Sequence, residues 1–276
     1  MADGASEKLQ SANIDSGEPR LASGLNAIGL IAFYVVLLIA WQVIVPLLRV
    51  PAYVVPVPTD ILAALARGIA SGQYLKDLGI TLTEMLLGFL IAAVFGILMG
   101  ALIVEVRIVE RLIYPLIVAI QSLPKIALAP LLLIWIGFGL PSKVAMAALV
   151  AFFPVLVNTA TGLRSCDREM YQLFDSLQAS RLQALWHLKL PAAAPYIIAG
   201  LDVAFVFALL GAIVGEFLGA SAGLGYAILQ LQFQLDTAGV FAILVILAGI
   251  GITGHTIMRA VGRRVAFWQA PASESR

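Results

Sequence analysis

Charge is scarce in this sequence, and that scarcity is its first constraint. Asp, Glu, Lys and Arg make up 12% of the residues, hydrophobic residues make up 61%, and the mean hydropathy is +1.00. A soluble domain carries about 25% charge and about 45–50% apolar residues, so the composition points to an integral membrane protein. The formal net charge is only +1, which gives no reason to expect nucleic-acid binding. Cysteine occurs once, as Cys166, which excludes an internal disulfide framework and a Cys-rich metal site. Cys166 is read as structurally neutral. His187 and His255 stand too far apart to suggest a metal site. No G-x-x-x-x-G-K-[ST] stretch occurs, so the chain offers no P-loop of its own for ATP.

Long apolar runs are abundant instead. A membrane-spanning helix needs roughly 20 apolar residues, and six stretches qualify, at about 26–46, 83–104, 112–136, 143–161, 193–217 and 239–260. The first run begins near Leu25 and is longer than the roughly 7–15 residues of a signal-peptide core, so it is expected to be an uncleaved span. Lys and Arg set the orientation. With the N-terminus inside, the cytoplasmic side holds Lys8, Arg20, Arg107, Arg111, Arg164, Arg168, Arg181, Lys189, Arg259, Arg263, Arg264 and Arg276. The outer side holds only Arg49, Arg67, Lys76 and Lys143. Both termini are therefore expected in the cytoplasm. Residues 1–24, polar and rich in small side chains, are expected to be a disordered tail, 25–268 the membrane domain, and 269–276 a short second tail. Between spans one and two, Thr59 or Asp60 is placed to cap a short helix carrying Ile61, Leu62, Leu65 and Ile69, expected to lie on the outer membrane surface or to be a plain loop helix.

The segment of about 162–192, between spans four and five, turns polar while keeping a helical rhythm. Met170, Leu173, Phe174 and Leu177 fall at i, i+3, i+4 and i+7, on one helical face. Leu182, Leu185 and Trp186 begin a second short helix. A break is expected around Gln178–Arg181, and Pro191 is expected to end the segment because it has no N–H to donate. Two short amphipathic helices would then form a hairpin below the membrane. Three readings of its apolar face are open: packing on the chain's own span ends, lying in lipid, or docking another protein. The acids on the polar side and the modest Lys and Arg content speak against lipid.

"SLQASRLQALWHLKLP" (176–191) and "LPAAAPYIIAGL" (190–201) resemble the EAA loop of ABC-importer membrane subunits. "LPKIALAPLLLIWIGFGLPSK" (123–143), "FFPVLVNTATGLRS" (152–165), "GEFLGASAGLGYAI" (215–228) and "RRVAFW" (263–268) resemble the nitrate, sulfonate and taurine branch of that family. The resemblance covers about 25–268. It departs at Gln172, Leu173 and Phe174, where the family has Glu-Ala-Ala, at Gln178, where it has Gly, and at Asp202, where the branch often has Arg. It implies an all-α, polytopic permease of six transmembrane helices in the bacterial inner membrane, surrounded by lipid. It further implies a homodimer enclosing the path, two cytoplasmic subunits that bind ATP and Mg, and a periplasmic solute-binding protein. This chain would be no enzyme itself and would hold no cofactor. The ATPase-coupling loop would be carried by Gln172, Leu173, Asp175, Ser176, Leu177, Gln178, Ala179, Ser180, Leu182 and Pro191.

A charge in lipid costs about 2.5–3.5 kcal/mol at a helix centre on insertion scales, so intramembrane polar residues face protein or water. Lys125 sits between Pro124 and Pro130, where broken backbone and a cation suit a passing anion. With Gln121, Asn158, Asp202 and Glu216 it forms the expected pathway set. Asn158 and Gln121 are read as pore or interhelix hydrogen-bonders, Glu216 as structural or an outer gate, Glu84 as reaching water, and Asp202 as a partner for Lys125. Gly96 and Gly100 form a G-x-x-x-G pair for close helix approach, Gly249, Gly251 and Gly254 do the same in span six, and Trp135 and Trp268 are expected at interfaces. The alternative function, an ATP-independent secondary transporter or channel, predicts inverted repeats. No convincing repeat is visible, and no nucleophile, base or metal cluster supports a membrane enzyme.

Overall fold

The computed structural model describes residues 22–265, and every regular element in that range is helical. The expected tails and Trp268 fall largely or wholly outside the described residues. The chain forms two compact units, divided after Thr59.

The first unit is built on α1, Ala22–Leu47, whose apolar side chains from Leu30 onward are mostly exposed. Past Arg49, which adopts φ 55°, the chain folds back on itself. Gln42 Nε2 donates to Thr59 Oγ1 at 3.1 Å, and Thr59 N–H donates to Gln42 Oε1 at 3.2 Å. Thr59 is thus held by this amide and does not cap a helix. α2 begins one residue earlier and spans Pro58–Ala70. It buries Ile61 and Ala64, while Leu62 and Ile69 stay exposed, so its packed side is narrower than the apolar pattern suggests.

The second unit centres on three long helices: α3, Gln73–Glu105; α6, Leu140–Arg164; and α9, Leu190–Gly219. In lipid no hydrophobic gain drives helices together, so close packing must hold them. Small residues supply it. A side chain at Gly96 would meet Val155, and one at Gly100 would meet Thr159, so the G-x-x-x-G pair seats α3 on α6. At Gly211, α9 reaches the backbone of Ala147, where an added Cβ would lie 2.7 Å from its Cα. In α11, Thr237–Val265, only one of the three glycines of span six meets a neighbour: Gly254 packs on Phe205, and Gly249 and Gly251 have none within 4 Å.

Three boundaries differ from the sequence reading. α3 starts about ten residues before the predicted span, because Asp77, Thr81 and Glu84 are buried and partnered inside the protein rather than left to water. The third span is not continuous. It is α4, Arg107–Gln121, then a 3-10 turn, Lys125–Leu128, and α5, Ala129–Ile136, bent by 93°. Pro124 cannot donate to a helical ladder and disfavours helix in the residue before it. Ile117 anchors α4 beside Ile103, Phe153 and Leu156, and Ala129 anchors α5 beside Met146, Val150 and Val214. The described residues thus contain five helices long and apolar enough to cross a membrane, or six with the bent pair as one.

Pro191 does not end its segment. α8, Arg181–Ala184, runs through a π-helical turn, Leu185–Lys189, directly into α9. Leu190 N–H reaches back five residues to Leu185 C=O, which widens the ladder just before the residue that cannot donate. The second helix of the expected hairpin is therefore the start of the fifth span. α7, Arg168–Ser176, is the separate short helix, and α10, Leu224–Phe233, joins α9 to α11.

Candidate functional site

The hairpin is built from local signals. Asp167 caps α7 by accepting from Glu169 N–H at 2.9 Å. At its far end Ala179 N–H donates to Phe174 C=O at 3.0 Å and Gln178 N–H to Asp175 C=O at 2.9 Å. This is a Schellman ending, which needs a left-handed residue, and Gln178 takes φ 55°. Gln178 therefore makes the turn glycine would make, at a cost of about 1–2 kcal/mol for a side chain in that region. Ser180 and Gln183 then form a reciprocal capping box that starts α8, with Ser180 N–H donating to Gln183 Oε1 at 2.8 Å and Gln183 N–H to Ser180 Oγ at 3.3 Å.

One ion pair ties the hairpin segment to α3, a cation–ring contact braces it internally, and a second ion pair joins α6 to α4 beside it. Lys189 Nζ lies 2.6 Å from Glu105 Oε1 and 5.1 Å from the centre of the Tyr171 ring, and Arg164 lies 2.7 Å from Glu110 Oε1. The apolar side of α7 stays open: Met170 is 45% exposed, Leu173 52% and Leu177 70%. Leu182 and Trp186 are exposed as well, while Phe174 and Ala179 are half-buried. Gln172, Asp175 and Ser176 lie on the exposed surface of α7. Burial pushes the Cys166 thiol above its ordinary range; Lys189 opposes the shift and Asp167 adds to it. It is a thiol, not a thiolate, at neutral pH.

At the opposite ends of α3, α6 and α9 lies a buried polar centre. Asp77, Thr81 and Glu84 project from one face of α3. Thr81 Oγ1 donates to Glu216 Oε1 at 2.6 Å. Three successive N–H groups at the start of α10 are each taken by a side chain: Gly223 by Asp77, Leu224 by Thr81 and Gly225 by Glu216. Gly223, at φ 114°, makes the turn that aims them. Lys143 Nζ lies 3.1 Å from Glu84 Oε1, with both side chains almost wholly enclosed. Glu84 thus does not reach water, and Lys143 is not a loop residue. Hydropathy hid this centre, but the i, i+4, i+7 spacing of Asp77, Thr81 and Glu84 carried the signal.

The remaining pathway candidates are not gathered in one place. Lys125 Nζ lies 3.4 Å from Gln121 C=O and 4.8 Å from the centre of the Phe153 ring. It has no carboxylate within ion-pair distance among the described residues. The expected Lys125–Asp202 pair does not form, because Asp202 Oδ2 meets His255 Nδ1 at 2.7 Å, across α9 and α11. Asp202 Oδ1 is buried without a partner. Asn158 does not bridge helices: its Nδ2 donates to Pro154 C=O in its own helix at 2.8 Å. The Gln121 side chain is exposed, Trp135 is exposed, and Glu216 is enclosed.

Residues 92–267 match the model of the binding-protein-dependent transport system inner membrane component family. The chain belongs to this family. It is an ABC-importer inner-membrane permease subunit of the nitrate, sulfonate and taurine branch. The permease is 35% identical to the formylaminopyrimidine transport permease protein ThiX of Halalkalibacterium halodurans, over 86% of this chain and 94% of that one. It is 33% identical to the putative aliphatic sulfonates transport permease protein SsuC of Bacillus subtilis, over 85% of each. Its fold is similar to a subunit of the methionine ABC transporter MetNI in an inward-facing conformation, with a TM-score of 0.58 and 17% identity, covering 70% of this chain and 97% of that one.

Proposed function

We propose that this permease forms the solute path of an ATP-driven importer, as a pair of copies in a bacterial inner membrane with both termini in the cytoplasm. Two cytoplasmic ATPase subunits, which bind ATP and Mg, grip the hairpin of α7 and α8. A periplasmic binding protein delivers a small anionic solute, a sulfonate, taurine, nitrate or a compound of similar size. The observation that carries this reading is the open apolar side of α7, Met170, Leu173 and Leu177, on a hairpin made rigid by its caps. Exposed apolar groups below the span ends call for a protein partner, and the Lys189–Glu105 tie gives that partner a hold on α3 and α9.

Replacing Leu177 with Asp places a charge in the centre of that face. The expected result is that the ATPase subunits no longer co-purify while the permease still assembles in the membrane. Unchanged co-purification and unchanged solute-stimulated ATP hydrolysis would reject the docking role. Lys125, a cation without a carboxylate partner beside the bend between α4 and α5, supports an anionic solute. Lys125→Met is expected to slow uptake in proteoliposomes about tenfold or more, in line with losing a charge-assisted contact, and to leave the complex intact. A normal uptake rate removes Lys125 from the path.

A further inference from the structure

A groove of about 460 Å³ lies where the end of α3 meets the hairpin. Its lining mixes apolar Val104, Val106 and Ile108 with the cations Arg107, Arg181 and Lys189 and the carboxylate Glu105. Lys189 is neutralised by Glu105. Arg107 and Arg181 have no carboxylate within ion-pair distance among the described residues, and nearby Glu110 is engaged by Arg164. The groove thus carries two uncompensated guanidinium groups, the side chain best shaped for two-point contact with a phosphate.

What leads away from the groove identifies the class of ligand. Ile91, Phe95, Leu98, Leu102 and Val106 recur at helical spacing on one face of α3 and its end, and all are exposed. Beside Ile91 and Phe95 opens a hollow of about 540 Å³ lined by apolar side chains of α3, α5 and α6. From Ile91 to Val106 is about 22 Å at 1.5 Å per residue. One leaflet with its headgroups, half of a bilayer of about 40–45 Å, is the same length. An acidic protein segment would use the cations and leave this stripe bare, and free phosphate would do the same.

We propose that the groove and stripe bind an anionic phospholipid, with its phosphodiester between Arg107 and Arg181 and its acyl chains along Ile91–Val106. The site lies on α3 and at the start of α8, so its occupancy stiffens the junction between the first long helix and the hairpin.

The test uses the full-length permease in its purified complex, incubated in detergent with equal amounts of phosphatidylglycerol and phosphatidylcholine. Native mass spectrometry then counts the lipid retained. Two cations near the surface predict a preference for phosphatidylglycerol of about thirtyfold. Arg107→Gln with Arg181→Gln should bring the ratio to about one, whereas Arg107→Lys with Arg181→Lys should keep most of it. Leu98→Ser with Leu102→Ser should lower retention of both lipids. Equal retention of the two lipids by the native chain overturns the proposal, as does a preference that survives the double Gln variant. If inorganic phosphate displaces phosphatidylglycerol as fully as added phosphatidylglycerol does, the stripe contributes nothing and the lipid assignment also fails.

Discussion

The two polar ends of α3, α6 and α9 use the same pair of residue types under different rules. At one end Lys143 and Glu84 meet with side chains 9% and 1% exposed, inside a centre where α10 is clamped by Asp77, Thr81 and Glu216. At the other end Lys189 and Glu105 are 14% and 19% exposed, and Arg164 and Glu110 are 39% and 42% exposed. An enclosed ion pair contributes little when intact, yet removing one partner strands a charge at a cost of about 3–5 kcal/mol. A pair open to water is worth about 0–1 kcal/mol. One end is therefore a fixed joint that fails if touched. The other keeps one half-enclosed pair, Lys189–Glu105, and one open pair, Arg164–Glu110, and only the open pair is of the weak kind.

The largest test of this contrast is Lys143→Met. It leaves Glu84 enclosed without its cation, beside the Glu216 carboxyl. A loss of about 3–5 kcal/mol is expected, read as a large drop in melting temperature in detergent. Adding Glu84→Leu should restore most of it. A single variant that melts like the parent would show that the centre is not a joint at all. A smaller effect of opposite sign is expected at the hairpin, where Gln178→Gly should stabilise by about 1 kcal/mol by relieving the left-handed side chain. Destabilisation there would mean that the Gln178 side chain makes a contact worth more than the strain. The smallest effect is expected for Arg164→Gln, a loss below about 1 kcal/mol that shrinks further as salt is raised. A loss as large as that of Lys143→Met would erase the difference between the two ends.

The hairpin was legible because its signals are local: the apolar rhythm of Met170, Leu173, Phe174 and Leu177, and the break after Gln178. The buried centre was not, because hydropathy leaves Asp77 outside the spans and puts Glu84 and Lys143 at span ends within reach of water, and only the folded chain brings α3, α6 and α9 together around them. The same limit hid His255 as the partner of Asp202, since 53 residues separate them. Pro124 and Pro130 announced an interruption, but its 93° bend depends on where α6 receives Ile117 and Ala129. Pro191 misled for a different reason. The chain absorbs it through a wide turn that no single residue spells out.

That wide turn joins α8 to α9 as one rod of 39 residues, Arg181–Gly219, about 58 Å long at 1.5 Å per residue. Its first residue stands in the hairpin, and its last is three beyond the carboxylate that holds Gly225. The hairpin and the buried polar centre are thus joined by continuous helix, with no loop between them. Two places along the rod depart from the regular ladder: the wide turn of Leu185–Lys189, and Pro195, which has no N–H to give.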